Sequence, residues 1–261
     1  MTAALPVPPL PMREAVGPMD PAAFDNPSGR PIFPDIPLEA YDSVFDFGCG
    51  CGRLARQLIQ QTPRPRSYLG VDLHLPLVEW AADNLATRAE GFAFAHHDVR
   101  YDPWNPGDDK PDVAPFPAAD GSHSLVIAVS VFTHLIEAHA EHYMREVARI
   151  LRPGGVFYST WFLFDKRLFP MMQEFQNALY INDLNPANAV IFDREWLVST
   201  AGANGLAITG VEQPEVRGFH WRLIMQHAGE GAEAVELPLD EAPIDVRGRR
   251  AAASEPDLGE G

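Results

Sequence analysis

Asp46-Phe47-Gly48-Cys49-Gly50-Cys51-Gly52-Arg53 decides how the rest of the chain is read. The stretch closes a short apolar run, Ser43-Val44-Phe45-Asp46-Phe47, and opens a helical one, Arg53-Leu54-Ala55-Arg56-Gln57-Leu58-Ile59. Glycines at 48, 50 and 52 let the backbone turn sharply between strand and helix. They also let a ligand approach the main chain where a Cβ would stand in its way. Twenty residues beyond Gly52, Asp72 ends a second apolar run, Tyr68-Leu69-Gly70-Val71-Asp72. A carboxylate at that point accepts hydrogen bonds from a ribose diol.

Strand and helix signals keep alternating from there. Residues 76–86 have helical apolar spacing at Leu77, Val78, Ala81, Ala82 and Leu85. Phe92-Ala93-Phe94-Ala95 and Ser124-Leu125-Val126-Ile127-Ala128-Val129 predict a third and a fourth strand. Residues 139–151 predict a helix with Tyr143, Val147 and Ile150 on one face, stopped by Arg152-Pro153-Gly154-Gly155, and residues 156–162 a fifth strand. A helix over 194–201 is capped by Asp193, and residues 206–213 and 221–226 make a closing hairpin. This pattern predicts an α/β fold: a doubly wound, mostly parallel seven-stranded sheet with an antiparallel last strand.

The flanks differ in composition. Ten of the 25 prolines fall within the first forty residues, so residues 1–40 are expected to form an extended arm or lid. Phe24, beside the turn-forming Asp25-Asn26-Pro27-Ser28-Gly29, is its aromatic anchor, Ile32 and Phe33 are expected to pin it to the domain, and the arm is expected to close one side of the acceptor pocket. Residues 229–261 hold nine acids and three arginines and are expected to be a disordered acidic tail. The folded domain is placed at 41–228. An insertion at about 161–193, rich in Phe and Met, is expected to cap an acceptor pocket, although core filling suits any one of those residues as well.

The 261 residues carry 36 acids against 20 bases, a formal charge of −16. That balance disfavours a nucleic-acid scaffold or an anionic lipid surface as partner. The opening MTAALPVPPLPMREA lacks a basic segment and its apolar run is broken by prolines, so no signal peptide and a cytoplasmic location are expected. Cys49 and Cys51, the only cysteines, are expected to be small loop side chains; two thiols without a second pair make a poor metal site. His139 and His142 are one turn apart on a helix, where a solvated face is the simpler reading than a ligand pair. No metal is expected.

Two cofactor classes share the strand–glycine loop–helix layout. A dinucleotide fingerprint needs its third glycine where Arg53 stands, which weakens a nicotinamide-dependent oxidoreductase. DFGCGCGR instead resembles the first motif of the class I S-adenosylmethionine-dependent methyltransferases, and further segments follow in register. VDLH resembles the second motif, HHDVR the adenine-holding segment, VSVFTHL the stretch after strand four, and EVARILRPGGVFYST the helix–turn–strand leading into strand five. The resemblance spans about residues 40–165. It implies S-adenosylmethionine as cofactor, with S-adenosylhomocysteine as product. It also implies a cofactor-binding set: Asp46, Gly48, Gly50, Gly52, Arg53, Asp72, Leu73, Asp98, Val99 and Ser130. Asp46 and Arg53 would serve the methionine end, Asp72 the ribose, and Asp98 with Val99 the adenine; a plain Asp46–Arg53 ion pair is the alternative.

Methyl transfer to a hydroxyl needs a base within reach of that hydroxyl. His134, after strand four, is the first candidate, with packing or capping of the next helix as its other reading. His220, before the last strand, is the second. VSVFTHL lacks the N/D-P-P-aromatic tetrapeptide of amino-nitrogen DNA methylases. The resulting expectation is methyl transfer to a small-molecule acceptor, at a hydroxyl of a sugar, glycan or secondary metabolite. A non-catalytic protein that binds the same cofactor is the alternative from a different class.

Overall fold

The strand before the glycine loop, β1 (Ser43–Phe47), is buried along its whole length. It has a parallel neighbour on each side, β2 (Ser67–Asp72) and β4 (His123–Ala128). The chain is described by a computed structural model over residues 5–182, 184–229 and 231–240. β3 (Phe92–His96) adds in parallel to β2, and β5 (Leu151–Phe164) to β4. β9 (Trp221–His227) runs antiparallel to β5 and to β8 (Leu206–Glu212). The core sheet is therefore ordered β3-β2-β1-β4-β5-β9-β8, the seven-stranded doubly wound sheet that the alternation predicts. β5 also runs on past this sheet and carries a hairpin of β7 (Val190–Asp193) and β6 (Ala178–Tyr180).

Alternate side chains of the central strands feed two cores. Val44, Leu125 and Ile127 pack with α2 (Arg53–Gln60) and α3 (Leu75–Asn84) on one face. Phe45, Val126 and Ala128 pack with α4 (Glu137–Ile150) and α5 (Arg194–Ala203) on the other. Both faces are covered, which is why the strands read as continuous apolar runs. Asp193 caps α5 as expected, its Oδ2 accepting from the Trp196 N–H at 3.2 Å. Among the described residues no helix is long and apolar enough to cross a membrane.

The arm departs from the extended path that its prolines suggest. A short helix, α1 (Leu10–Ala15), starts at Pro9 with Pro11 in its first turn, where a missing N–H leaves no helical bond unmade. Phe24 is fully buried against Cys51 and Leu77. Arg56 of α2, 5% exposed, gathers the arm from two sides. Its guanidinium donates to the carbonyls of Pro6 at 2.9 Å, Leu5 at 3.1 Å and Phe24 at 2.9 Å, and pairs with Asp25. Gln57 and Gln60 add bonds to Ala23 and Asn26.

The acidic segment beyond Gly229 also differs from expectation in its first part. The Val235 N–H donates to the Ile208 carbonyl at 2.8 Å, Leu237 packs on the α4–α5 core, and Arg194 donates to the Leu237 carbonyl. Two apolar residues among the acids suffice to hold this strip against the edge strand β8. The rest of the expected tail, 241–261, lies outside the described residues.

His123, at the edge of the sheet opposite the glycine loop, is buried beside the Ser43 hydroxyl, 3.1 Å from its Nδ1. Burial pushes its pKa down to about 4. The unfolded chain therefore binds a proton that the folded chain refuses. The resulting stability is fully present above pH 6.5 and is lost as pH falls toward 4, up to about 3 kcal/mol. Asp46, raised to about 7 mainly by burial, has the opposite slope in the same window, so the comparison must be differential. Urea unfolding of His123→Gln is expected to lose about 2–3 kcal/mol less than the parent between pH 7 and pH 4.5. Equal losses would show that His123 is not the acid-sensitive group.

Candidate active site

The glycine loop is fastened by the acid that follows it. Asp72 Oδ2 accepts from the Gly50 N–H and Oδ1 from the His74 N–H, each at 2.8 Å. The N–H groups of Gly48 and Cys49 both reach the Val71 carbonyl, at 2.8 and 3.1 Å. The loop is thus hung on the end of β2 by three backbone donors, while the His74 N–H ties the entry to the next helix to the same carboxylate. At Gly50, φ is +53° and a Cβ would meet Val16 Cγ1 of the arm at 2.5 Å. At Gly48, φ is +80° and a Cβ would meet Val131 Cγ2 at 2.3 Å. Only glycine suits these two positions.

The carboxylates of this edge differ in their surroundings. Asp46 is buried, and its Oδ2 accepts from the Tyr68 hydroxyl at 2.6 Å. Arg53 makes no ion pair with it among the described residues, though its charge offsets part of the burial that raises the Asp46 pKa. Asp72 is also raised, first by burial, against the pull of its two backbone donors. Asp98 lies at the surface, where Lys110 at 2.8 Å and Asn105 at 3.0 Å hold its pKa down. Val99 beside it is buried and Leu73 half-buried. These residues form one continuous edge from the glycine loop to the end of β3.

A cavity of about 280 Å³ opens beside the loop, between α2 and the ends of β4, β5 and β9. Arg53, Gln57, Ser130, Thr160, His220 and Arg222 supply its polar lining, and Ile32 and Phe33 of the arm wall it. Phe33 stacks on Tyr158 with ring centres 3.9 Å apart. Ser130 is the one non-glycine residue with positive φ among the described residues, at 58°, a conformation that costs energy and clusters at functional sites. The Thr160 hydroxyl holds it there, accepting from the Ser130 N–H at 2.7 Å. The Ser130 hydroxyl then meets His220 Nε2 at 3.2 Å, and the imidazole lies on Phe162 at 4.6 Å. Burial, helped by the charges of His134 and Arg222, lowers the His220 pKa.

The two candidate histidines are thereby separated. His134 sits in a turn of 3₁₀ helix after β4, exposed, its Nδ1 donating to the Ala187 carbonyl at 3.2 Å. It does not line the cavity; His220 does. Thr160 and Arg222 were not legible as site residues, since strand pairing alone brings them there; Ile32 and Phe33, expected to pin the arm to the domain, also wall the cavity. The insertion expected as a cap lies beside the cavity: Phe162 touches His220, while Phe169, Met171 and Phe175 are exposed. Its aromatic content marks a surface and the β6–β7 hairpin more than a roof. Cys49 and Cys51 are buried free thiols whose pKa values are raised by burial, that of Cys51 to about 11. His142 Nε2 donates to the Ala114 carbonyl at 3.1 Å. No group of three or more metal-ligating side chains occurs among the described residues.

Residues 44–155 match the family of methyltransferase domains. An arsenite methyltransferase of Aquipseudomonas alcaligenes is 30% identical over 148 residues, 54% of this chain and 40% of that protein. The match thus spans well under two thirds of the relative's length. Among solved structures, the complex of the Haloferax volcanii Trm112 methyltransferase activator with a methyltransferase superposes at a TM-score of 0.51. It has 18% identity, covering 74% of this chain and 85% of that one. Magnesium protoporphyrin IX methyltransferase of Synechocystis with bound S-adenosylhomocysteine gives 0.47 at 16% identity, over 71% and 74% of the chains. Residues 44–155 thus match a methyltransferase domain, the class of domain for which the resemblance implies S-adenosylmethionine as cofactor.

The edge described above fits that cofactor. The loop bars any Cβ at Gly48 and Gly50, and each Asp72 oxygen keeps a second lone pair for a ribose hydroxyl. Asp72→Ala removes both the ribose acceptor and the fastening of the loop. Titration calorimetry is expected to show at least a tenfold loss of S-adenosylmethionine affinity, with Asp72→Asn losing less because one acceptor oxygen survives. Unchanged affinity in the alanine variant would remove Asp72 from the site.

Proposed function

We propose that the chain is a methyltransferase that transfers the methyl group of S-adenosylmethionine to a hydroxyl oxygen of a small acceptor, with His220 as the general base. A single observation carries this reading: His220 lies on the cavity beside the glycine loop, held against the Ser130 hydroxyl at 3.2 Å. When bound, S-adenosylmethionine supplies a methyl on a sulfonium that leaves as a neutral thioether. The protein then has to align an oxygen with that methyl and accept the proton it sheds.

His220 suits the second task. Its lowered pKa keeps the imidazole neutral at pH 7, and Nε2 is the nitrogen that already meets a hydroxyl. The acceptor proton passes to Nε2 as the oxygen–methyl bond forms, and the resulting imidazolium returns it to solvent. Arg53 lines the same cavity, which supports a role for it in pairing with the cofactor's methionine carboxylate. Phe33, Ile32 and Leu54 supply an apolar wall that excludes water from the reacting atoms.

Arsenite, the substrate in the relative's name, does not suit this chain. Binding it through sulfur needs thiols that it can reach, and both thiols here are buried. A sugar or another polyhydroxylated metabolite is the acceptor class put forward.

His220→Gln is expected to cut turnover by about 10² to 10⁴ with S-adenosylmethionine affinity unchanged. The parent rate should rise with pH through an ionisation below the ordinary histidine value, and the variant should lose that rise. His134→Gln should stay within about threefold of the parent. Near-normal turnover in well-folded His220→Gln would exclude His220 as the base.

A further inference from the structure

The cavity at His220 does not end there. A second one, of about 320 Å³, adjoins it under the turn that joins β8 to β9, and His220 and Arg222 line both. Glu212 and Arg222 form an ion pair at this junction. Outward from it the polar lining continues with Gln213 and Glu215 and the apolar lining with Pro214, Val216 and Phe219. The Phe219 ring is 59% exposed, although the turn that presents it is tied down. The Phe219 N–H donates to the Val216 carbonyl at 3.2 Å, and Arg217 donates to the Asp240 carbonyl at 2.6 Å.

The lining discriminates by chemistry. An anion would meet two carboxylates, and a cation would meet Arg222. An apolar group would cover the Glu212–Arg222 pair without replacing its water, which is costly for any ion pair. A neutral ring bearing several hydroxyls satisfies all of these groups. Its hydroxyls donate to Glu212 and Glu215 and accept from Arg222 and Gln213, and its C–H face lies on the Phe219 ring. We propose that the outer cavity is a second acceptor subsite, which takes a neutral polyhydroxylated ring joined to the unit whose hydroxyl meets His220. The proposal rests on the hydroxyl acceptor put forward above. It adds that the acceptor has at least two rings, of the pyranose class.

Binding can be read apart from catalysis. The full chain, saturated with S-adenosylhomocysteine, is titrated by saturation-transfer NMR with a panel of neutral monosaccharides and the disaccharides built from them. At least one disaccharide is expected to bind ten times or more tightly than its component sugars. Phe219→Ala should remove that advantage and leave S-adenosylhomocysteine and monosaccharide affinity as they were; Phe219→Tyr, which keeps a flat ring, should retain it. Equal binding of single and double sugars, or a disaccharide advantage that survives Phe219→Ala, would overturn the subsite. So would the absence of any saccharide binding. If methyl transfer to a panel of non-saccharide alcohols and phenols is then found, the hydroxyl reading stands and the subsite alone fails. If neither panel is methylated, both fail.

Discussion

The Asp72 carboxylate is the point on which the site hangs. It takes the Gly50 N–H with one oxygen and the His74 N–H with the other, so one side chain fixes both the glycine loop and the entry to α3. Backbone N–H groups with no carbonyl within reach are expensive to bury. A carboxylate at the end of a parallel strand satisfies two of them at once while keeping lone pairs for a ligand. The parallel register of β1 and β2, with Phe47 opposite Val71, carries the loop to this acid and not past it. With the loop set, α2 can start directly after Gly52, and Arg53 at its first position reaches the cavity.

Helix α2 then organises the arm. A guanidinium buried as deeply as that of Arg56 must have its donors met, and carbonyls at Leu5, Pro6 and Phe24 meet them. The arm is thereby folded back so that Val16 covers Gly50 and Phe33 walls the cavity. On the opposite wall, antiparallel pairing of β9 with β5 sets Trp221 opposite Trp161 and Arg222 opposite Thr160. That register delivers His220 to Ser130. The two walls come from opposite ends of the chain and meet only because both pack on the same central strands.

How much of this could be read from the residues follows from the range of the interactions. The seven core strands, the helices α2 to α5 and the Asp193 cap depend on local periodicity and turn chemistry, and these are written in neighbouring residues. The glycine loop and Asp72 carry the same kind of local signal. Helix α1 was hidden because proline within a first turn looks like proline that forbids a helix. The β6–β7 hairpin was hidden because strands of three and four residues give no period to read. Arg56 looks like any polar residue of an amphipathic helix; its burial is set by carbonyls some fifty residues away in the chain. In sequence His134, next to strand four, ranks ahead of His220, and only the turn after β4, which aims His134 at Ala187, reverses that order.

The central claim is that the cofactor lies along the glycine-loop edge with its reacting end facing the cavity shared by Arg53, Ser130 and His220. A crystal structure with S-adenosylhomocysteine measures this directly. The account predicts the ribose on Asp72 and the sulfur open to the His220 side of Ser130. A sulfur turned toward His134, or a nucleoside lying away from Asp72, would contradict it.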